Sequence, residues 1–275
     1  MLNLLIFITL EKQLPNQWGL YLPFLQNFSS PHPNFFTEAW SLSIEEYAYL
    51  LLPLLIFVSF KLFKGLNKQK IFFYTTVFVI FALALLKYQY YLNTAIHSYS
   101  DWSASFRKVV IYRIDSIYIG FLLVYLINAY QQFCNSYKKH LLFLGLFSFM
   151  LIHLLMFGYQ LSPEKNPLFY VFVYLQVVVV SMALVFPYFS TLKYTGLFFK
   201  PIQFLSVHAY AIYLVNYSIV LLSMQQLFII EGMSFFQKTA MALLFLGITL
   251  LLSVLVYRFY EWPILKYRDR KFRRN

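Results

Sequence analysis

The chain has 275 residues, of which 61% are hydrophobic and only 12% are charged, and its mean hydropathy is +0.65. Soluble domains are close to half apolar and a quarter charged, so this composition excludes both a soluble globular protein and a disordered one. A single Cys excludes a disulfide scaffold and a cysteine-based metal site. A polytopic membrane protein concentrates its Lys and Arg in cytoplasmic loops, so the net charge of +12 does not require a nucleic acid partner, and we expect none.

Long apolar runs predict an all-α, polytopic transmembrane helical bundle. A helix needs about 17–25 apolar residues to cross a bilayer, and such runs lie near 42–60, 71–87, 108–129, 141–158, 168–190, 205–230 and 239–260. Two shorter apolar pieces, Met1–Leu10 and Trp18–Phe28, precede these spans. Neither linker nor repeat interrupts the pattern, so we expect one integral membrane domain over 1–275 with a basic tail at 264–275.

The basic residues of the loops alternate between the two sides of the membrane. One set of loops, with the tail, contains Lys61, Lys64, Lys68, Lys70, Lys138, Lys139, Lys193, Lys200, Lys266, Arg268, Arg270, Lys271, Arg273 and Arg274. The opposite loops contain only Lys165, although Arg107, Lys108 and Lys238 lie at their edges. The positive-inside rule therefore predicts a cytoplasmic C-terminus, and the basic tail predicts contact with anionic membrane lipid.

The first candidate site begins at Trp40, in the segment Trp-Ser-Leu-Ser-Ile-Glu-Glu that leads into an apolar helix. If this helix starts near Ser41, the hydroxyl caps it and Glu45 and Glu46 fall in early turns, where the helix dipole favours anions. Adjacent side chains point about 100° apart around a helix. Capping therefore accounts for one carboxylate, and we expect at least one to face the bundle interior, where ionisable residues usually serve a function.

The second candidate site is Tyr112-Arg113-Ile114-Asp115-Ser116, followed by Gly120. Residues two apart on a helix diverge, so Arg113 and Asp115 are each expected to find a partner on another helix. Glu45 or Glu46 is the candidate partner of Arg113. Two roles are possible for these charged residues. They could form an ion pair that fixes helix register, or they could take part in substrate binding or catalysis, and the two roles are compatible.

Other polar residues in the spans predict structural roles. His153 stands alone in its span, and His208 and Asn216 flank Ala209–Tyr213, so hydrogen bonds between helices are expected. Arg258 and Glu261 lie at the end of the last span, where a local ion pair suffices. Neither a zinc-protease motif nor a nucleophile elbow nor a phosphate-binding glycine loop occurs, so we expect no metal and no permanently bound cofactor.

Four segments resemble the acyltransferase-3 family of membrane O-acyltransferases. The segment from Thr37 to Tyr47 resembles the family signature T-W-S-L-S-V-E-E, and Arg113-Ile114-Asp115 with Gly120 resembles its later Arg-x-Asp helix. Ser206 to Val220 resembles the segment S-Y-A-I-Y-L-x-H. Tyr257-Arg258-Phe259-Tyr260-Glu261-Trp262-Pro263 resembles the terminal Y-R-x-x-E-x-P. The four matches occur in the family's order across residues 37–263.

The resemblance implies transfer of an acetyl or other acyl group from acyl-CoA to a hydroxyl of a cell-surface polysaccharide, such as O-antigen, or of a glycolipid or lipid-linked sugar. It implies an enzyme of the bacterial inner membrane. The implied catalytic residues are Glu45, Glu46, Arg113 and Asp115, and the implied substrate-binding residues are Trp40, Ser43 and Asn216. Asn216 stands where the family often has His.

The family's proposed base is a His in its first helix, with an Arg about ten residues before it. The printed chain has neither, and it matches the family pattern from the third helix onward. We therefore expect an N-terminally truncated relative that transfers no acyl group as printed. A transporter or flippase of a lipid-linked glycan and an inactive remnant of the enzyme are the alternatives. The spans lack the repeated, interrupted pattern that many transporters carry.

Overall fold

A computed structural model describes residues 17–33, 35–192, 196–228 and 232–272. The secondary structure in these ranges is helical throughout, with no strand. Seven helices are long and apolar enough to cross a membrane, which confirms the predicted all-α transmembrane fold. They are α1 (Ala39–Leu62), α2 (Lys68–Asn93), α3 (Val110–Ala129), α4 (Gln131–Gly158), α5 (Phe169–Phe189), α6 (Phe199–Leu227) and α7 (Phe235–Lys271).

The two short N-terminal apolar pieces add no described span. Met1–Leu10 lies outside the described residues. Trp18–Phe28 forms a single 3-10 turn, Trp18–Tyr21, followed by a loop. Ahead of α3, a short helix at Tyr99–Trp102 continues as a π-helical turn at Ser103–Arg107.

The chain divides into two compact units. The five-helix unit comprises Gln17–Pro33 and Ala39–Lys193 and therefore contains α1 to α5. The two-helix unit contains, among the described residues, 35–38 together with α6 and α7. In the five-helix unit α3 packs against α1, α2, α4 and α5, and in the two-helix unit α6 packs against α7.

Several of the long helices depart from regular α-helical hydrogen bonding. Helix α3 is interrupted at Ile114, which separates Val110–Arg113 from Asp115–Ala129. π-helical turns occur at the start of α5, within α6 and within α7, at Phe169–Tyr174, Asn216–Leu221 and Tyr257–Glu261. Such turns often lie at functional positions. The turn in α7, and all of the turn in α6 except its last residue, fall within segments that resemble the acyltransferase-3 family.

One apolar cluster joins α1 to α3. Ile44, Ala48 and Leu52 follow one another at four-residue spacing, which places them on one face of α1. They pack against Val110, Ile114 and Tyr118 of α3. The register of α1 is therefore set by this stripe.

The loop before α1 satisfies the free N–H groups at the start of α3. The first turn of any helix leaves backbone N–H groups without a partner in the helix. Here Val110 N donates to Asn27 O at 2.9 Å, and Ile111 N donates to Phe28 O at 3.2 Å. The Asn27 amide also donates to the carbonyls of Lys108 and Trp40, at 2.5 and 3.1 Å. One buried Asn thus ties the loop to the starts of α1 and α3.

Helices α4 and α5 approach each other closely at Gly145, a buried residue of α4. A Cβ atom at this position would lie 2.6 Å from the carbonyl oxygen of Ser181 and 2.9 Å from Cγ2 of Val185. Small residues allow two helix backbones to come this near within a membrane. Gly145 is therefore required by the spacing of the two helices.

We predict that Gly145→Ala lowers the free energy of unfolding, because the backbone of α5 must move away to admit the methyl group. Overpacking of this kind costs about 1–3 kcal/mol. The matched control is Gly158→Ala on the same helix, where a Cβ would meet nothing within 4 Å. Unfolding of the purified protein by titration with a denaturing detergent measures both variants. Equal stability of Gly145→Ala and the parent would contradict the close approach.

Candidate functional site

A buried ion pair lies between α2 and α3. Lys87 Nζ donates to Asp115 Oδ2 at 2.5 Å, and the two side chains are only 2% and 6% exposed. The Gln176 amide of α5 donates to the same oxygen at 2.8 Å. Three helices thus contribute one side chain each to a polar centre inside an apolar unit.

The three residues lie at a common depth because of their positions along their helices. Lys87 precedes the end of α2, whereas Asp115 and Gln176 follow the starts of α3 and α5. At 1.5 Å per residue, each lies about 8–10 Å inside its helix end. The break at Ile114 places Asp115 in the first turn of the helical segment Asp115–Ala129. The dipole of that segment therefore favours the negative charge in addition to Lys87.

Arg113 and Arg107 add positive charge near this pair. Arg113 Nη1 donates to Ser116 Oγ at 2.6 Å. Arg107 donates to Ser103 Oγ at 2.9 and 3.1 Å, and its guanidinium lies 5.3 Å from the ring centre of Trp40. Arg107 and Asp115 are both near enough to Arg113 to act on it electrostatically. We call Lys87, Arg107, Arg113, Asp115 and Gln176 the charged cluster, which contains three cations and one carboxylate.

The expected pairing of Arg113 with Glu45 or Glu46 is wrong. The ion pairs among the described residues join Lys87 to Asp115 and Arg268 to Asp269. Helix α1 begins at Ala39 rather than near Ser41, and its buried positions are Ala39, Ser43, Ile44, Ala48 and Leu52. Glu45 and Glu46 follow Ile44 by about 100° and 200° around the helix. Both carboxylates are consequently exposed, so the expectation that one faces the bundle interior is also wrong.

Ser43, expected to contact substrate, is fully buried in a hydrogen-bonded chain. The Gln26 amide donates to Ser43 Oγ at 2.6 Å, and this hydroxyl donates to the carbonyl of Ala39 at 3.3 Å. Gln26 itself is buried, and its Oε1 has no partner among the described residues. The chain fixes the loop before α1 against the first turn of that helix.

The two-helix unit brings Glu38 to α6. The Glu38 carboxylate accepts hydrogen bonds from Ser218 N at 2.5 Å and from Ser218 Oγ, and its backbone carbonyl accepts one from Tyr213 Oη at 2.8 Å. Glu38 lies in the first segment that resembles the family, whereas Tyr213 and Ser218 lie in the third. Asn216, the expected substrate contact of this unit, begins the π-helical turn of α6. Its side chain is half-buried and bonds to no residue that the structure describes.

His153 and His208 form hydrogen bonds within their own helices, so the expectation that they bond to other helices is wrong. His153 Nδ1 donates to the carbonyl of Phe149 at 2.7 Å, and His208 Nδ1 donates to that of Phe204 at 2.8 Å. The His208 ring also lies 4.7 Å from the ring of Tyr257. This contact joins the third and fourth segments that resemble the family.

His32 is the buried histidine of the loop before α1. Its Nδ1 donates to the carbonyl of Pro33 at 2.6 Å, and its Nε2 has no partner among the described residues. Burial, reinforced by the nearby Lys108 charge, lowers the pKa of His32 to about 4. His32 is therefore neutral at neutral pH, and its low pKa makes it a weak base.

Sequence reasoning missed Lys87, Gln176, Gln26 and Asn27. Lys87 is the last residue of the predicted span 71–87, but α2 continues to Asn93. A lysine well inside an apolar helix needs a partner, so its position in the helix is the feature that would have marked Lys87 as a site residue. Among the described residues, no three His, Cys, Asp or Glu side chains come close enough to hold a metal ion.

Fold and site together define an integral, multi-pass helical membrane protein whose charged cluster is centred on a buried Lys–Asp pair. Comparison of the chain with models of known families, with curated proteins and with solved structures gives no match. The resemblance to the acyltransferase-3 family therefore depends on the four sequence segments alone.

We predict that Lys87→Met lowers the free energy of unfolding by about 3–5 kcal/mol, because it leaves the buried Asp115 carboxylate without its cation. The matched control is Arg268→Met, which breaks an ion pair whose side chains are 60% and 63% exposed. Exposed pairs contribute little, so this control is expected to match the parent. Detergent-induced unfolding and the folded yield measure both variants. A Lys87→Met protein as stable as the parent would show that the pair is not formed.

Proposed function

We propose that the chain is a membrane-embedded O-acyltransferase of the acyltransferase-3 kind. In this proposal the chain's charged cluster serves the transfer of an acetyl or other acyl group from acyl-CoA to a hydroxyl of a surface polysaccharide, a glycolipid or a lipid-linked sugar, and the base that accepts the hydroxyl proton is not one of the cluster's five residues. The observation that carries this proposal is the charged cluster, in which a buried Lys87–Asp115 pair within the spans is accompanied by the half-buried Arg113 and Arg107, because ionisable residues inside apolar spans usually mark a functional site. The order of the four family-like segments supports the assignment to this family rather than to another.

The contacts within each unit also support the proposal. In the five-helix unit, Ile44 of the first segment packs with Ile114 of the second. In the two-helix unit, Glu38 bonds to Ser218 and His208 contacts Tyr257. Segments far apart in the sequence that resemble one family thus make direct contacts within each unit.

The chemistry requires a base and a group that holds negative charge. The acceptor hydroxyl attacks the thioester carbonyl carbon and gives its proton to a base, and the carbonyl oxygen becomes negative. Collapse of this intermediate breaks the carbon–sulfur bond, and the CoA thiolate leaves and takes up a proton. Arg113 donates one described hydrogen bond and retains donors for the oxyanion or for sugar hydroxyls. Lys87 and Gln176 hold Asp115 in place.

Glu45 and Glu46 are exposed and are proposed to contact the acceptor rather than Arg113. Trp40, against which Arg107 lies, offers an aromatic face suited to stacking on a sugar ring. For Ser43 and Asn216 we propose more limited roles than the substrate binding that the resemblance implies. Ser43 positions α1 through Gln26, and Asn216 supplies an amide with free donors in α6.

Deleting the gene in its native cell tests the function. We predict loss of an O-acyl group from a surface glycan or glycolipid, detected by mass spectrometry, and its return when the parent gene is supplied. Arg113→Gln is expected to restore less than about 1% of the acylation, as expected when one oxyanion donor is lost. Arg270→Gln, an exposed arginine in the basic tail, is the matched control and is expected to restore it fully.

Each alternative gives a different result in this experiment. A glycan that keeps its acyl groups but accumulates on one leaflet would overturn the proposal in favour of a transporter or flippase, a role that a buried Lys–Asp pair also suits. An unchanged glycan in an unchanged location would overturn it in favour of an inactive remnant.

We further propose that the C-terminus is cytoplasmic and that the loop between α2 and α3 faces the outside of a bacterial inner membrane. The uneven distribution of Lys and Arg supports this orientation. In a Cys134→Ser background, a membrane-impermeant thiol reagent is predicted to label a Ser98→Cys variant in intact cells and to spare an Arg270→Cys variant. The reverse labelling would contradict the orientation.

A further inference from the structure

An apolar groove lies between α3, α4 and α5, at the end opposite to the charged cluster. Its volume is about 430 Å³. The lining residues include Leu126 near the end of α3, Tyr130 directly after α3, Cys134 and Leu141 early in α4, and Ala183 and Pro187 late in α5. All of these lie in the five-helix unit, in the half of the spans nearest to the Lys-containing loops.

A lysine stands beside this groove. Cys134, Lys138 and Leu141 are separated by four and three residues, so they lie on one face of α4. Lys138 Nζ donates to Thr191 Oγ1 at 3.0 Å, which links α4 to the residues that follow α5. Pro187, which lines the groove, lies one helical turn before Thr191. The Lys138 ammonium is therefore held beside the groove, next to the end of α5 and, along α4, between the lining residues Cys134 and Leu141.

The charge of Lys138 is not neutralised within the part of the chain that the structure describes. The described ion pairs involve Lys87 and Arg268 only. An ammonium has three donors, and Thr191 uses one of them. The Thr191 hydroxyl gives its one proton to the carbonyl of Tyr188 at 2.9 Å, so an anion at the membrane surface would accept hydrogen bonds from the remaining donors of Lys138.

We propose that this groove binds an anionic phospholipid, with an acyl chain between α3, α4 and α5 and the phosphate on Lys138, which its hydrogen bond to Thr191 positions. The walls of the groove suit a hydrocarbon chain, because packed structures in a bilayer do not leave a volume of this size empty. Lipid tails are as apolar as Leu, so the chain alone gives little preference among lipids. Preference for the anionic headgroup comes from Lys138. This site is separate from the proposed acyl transfer and does not depend on it.

Binding of phosphatidylglycerol against phosphatidylcholine with identical chains tests the proposal. The purified protein is stripped of lipid in detergent, mixed with both lipids and examined by native mass spectrometry. One lysine near an anionic headgroup gives about a fivefold preference, so we expect that preference for phosphatidylglycerol in the parent. Lys138→Gln is expected to bring the ratio close to one.

Two further variants separate the site from general surface charge. Lys139→Gln removes the neighbouring exposed lysine, which lies on another face of α4, and is expected to keep the parent preference. Ala183→Leu narrows the groove and is expected to reduce retention of phosphatidylglycerol while the protein remains folded, as its melting temperature in detergent reports.

Three results would overturn the proposal. Equal loss of preference in Lys138→Gln and Lys139→Gln would indicate general charge attraction. Undiminished lipid retention in a folded Ala183→Leu protein would show that the chain lies elsewhere. Displacement of the lipid by inorganic phosphate at millimolar concentration would identify a free anion, rather than a lipid headgroup, as the ligand of Lys138.

Discussion

The buried ion pair of Lys87 and Asp115 is the interaction on which the five-helix unit depends. Hydrocarbon cannot solvate a charge, so an ammonium and a carboxylate within spans must neutralise each other or cost several kcal/mol each. The pair contacts α5 through Gln176 and lies beside the apolar cluster of α1 and α3. The relative depth of three helices is therefore linked to one hydrogen-bonded carboxylate.

This constraint also explains the distribution of the other charges. Lys87 and Gln176 both bond to Oδ2 of Asp115, and Oδ1 has no partner among the described residues, whereas Arg113 and Arg107 bond to the hydroxyls of Ser116 and Ser103. Hydroxyls satisfy donors without cancelling charge, so the cluster stays positive. A positively charged site is suited to stabilising an oxyanion, which the proposed acyl transfer requires.

Much of the fold was predictable from the sequence because the bilayer fixes the length of a spanning helix. The seven spans follow from apolar runs alone. The ends of the helices were predicted less accurately, because polar residues continue a helix beyond its apolar run. Helix α2 extends past Lys87 to Asn93. Because the predicted span ends at residue 87, Lys87 lies at the end of that predicted helix and was not recognised as a buried cation.

The candidate site was only partly predictable. Asp115 was correctly expected to have a partner on another helix, which is Lys87 of α2. The partner of Arg113, however, is Ser116 of the same helix. The orientation of Glu45 and Glu46 depends on which face of α1 is buried, and that face is fixed by the packing of Ile44 against α3 and by bonds from Gln26 and Asn27 in the preceding loop. Such contacts join residues that no periodic pattern relates, so a sequence pattern alone does not reveal them.

A double-mutant cycle between Lys87 and Asp115 tests this dependence most directly. The free energy of unfolding is measured for the parent, Lys87→Met, Asp115→Leu and the double variant in the same detergent. Paired charges predict that the double variant loses less stability than the sum of the single losses, by about 1–3 kcal/mol. Losses that add within about 0.5 kcal/mol would contradict a direct interaction between the two side chains.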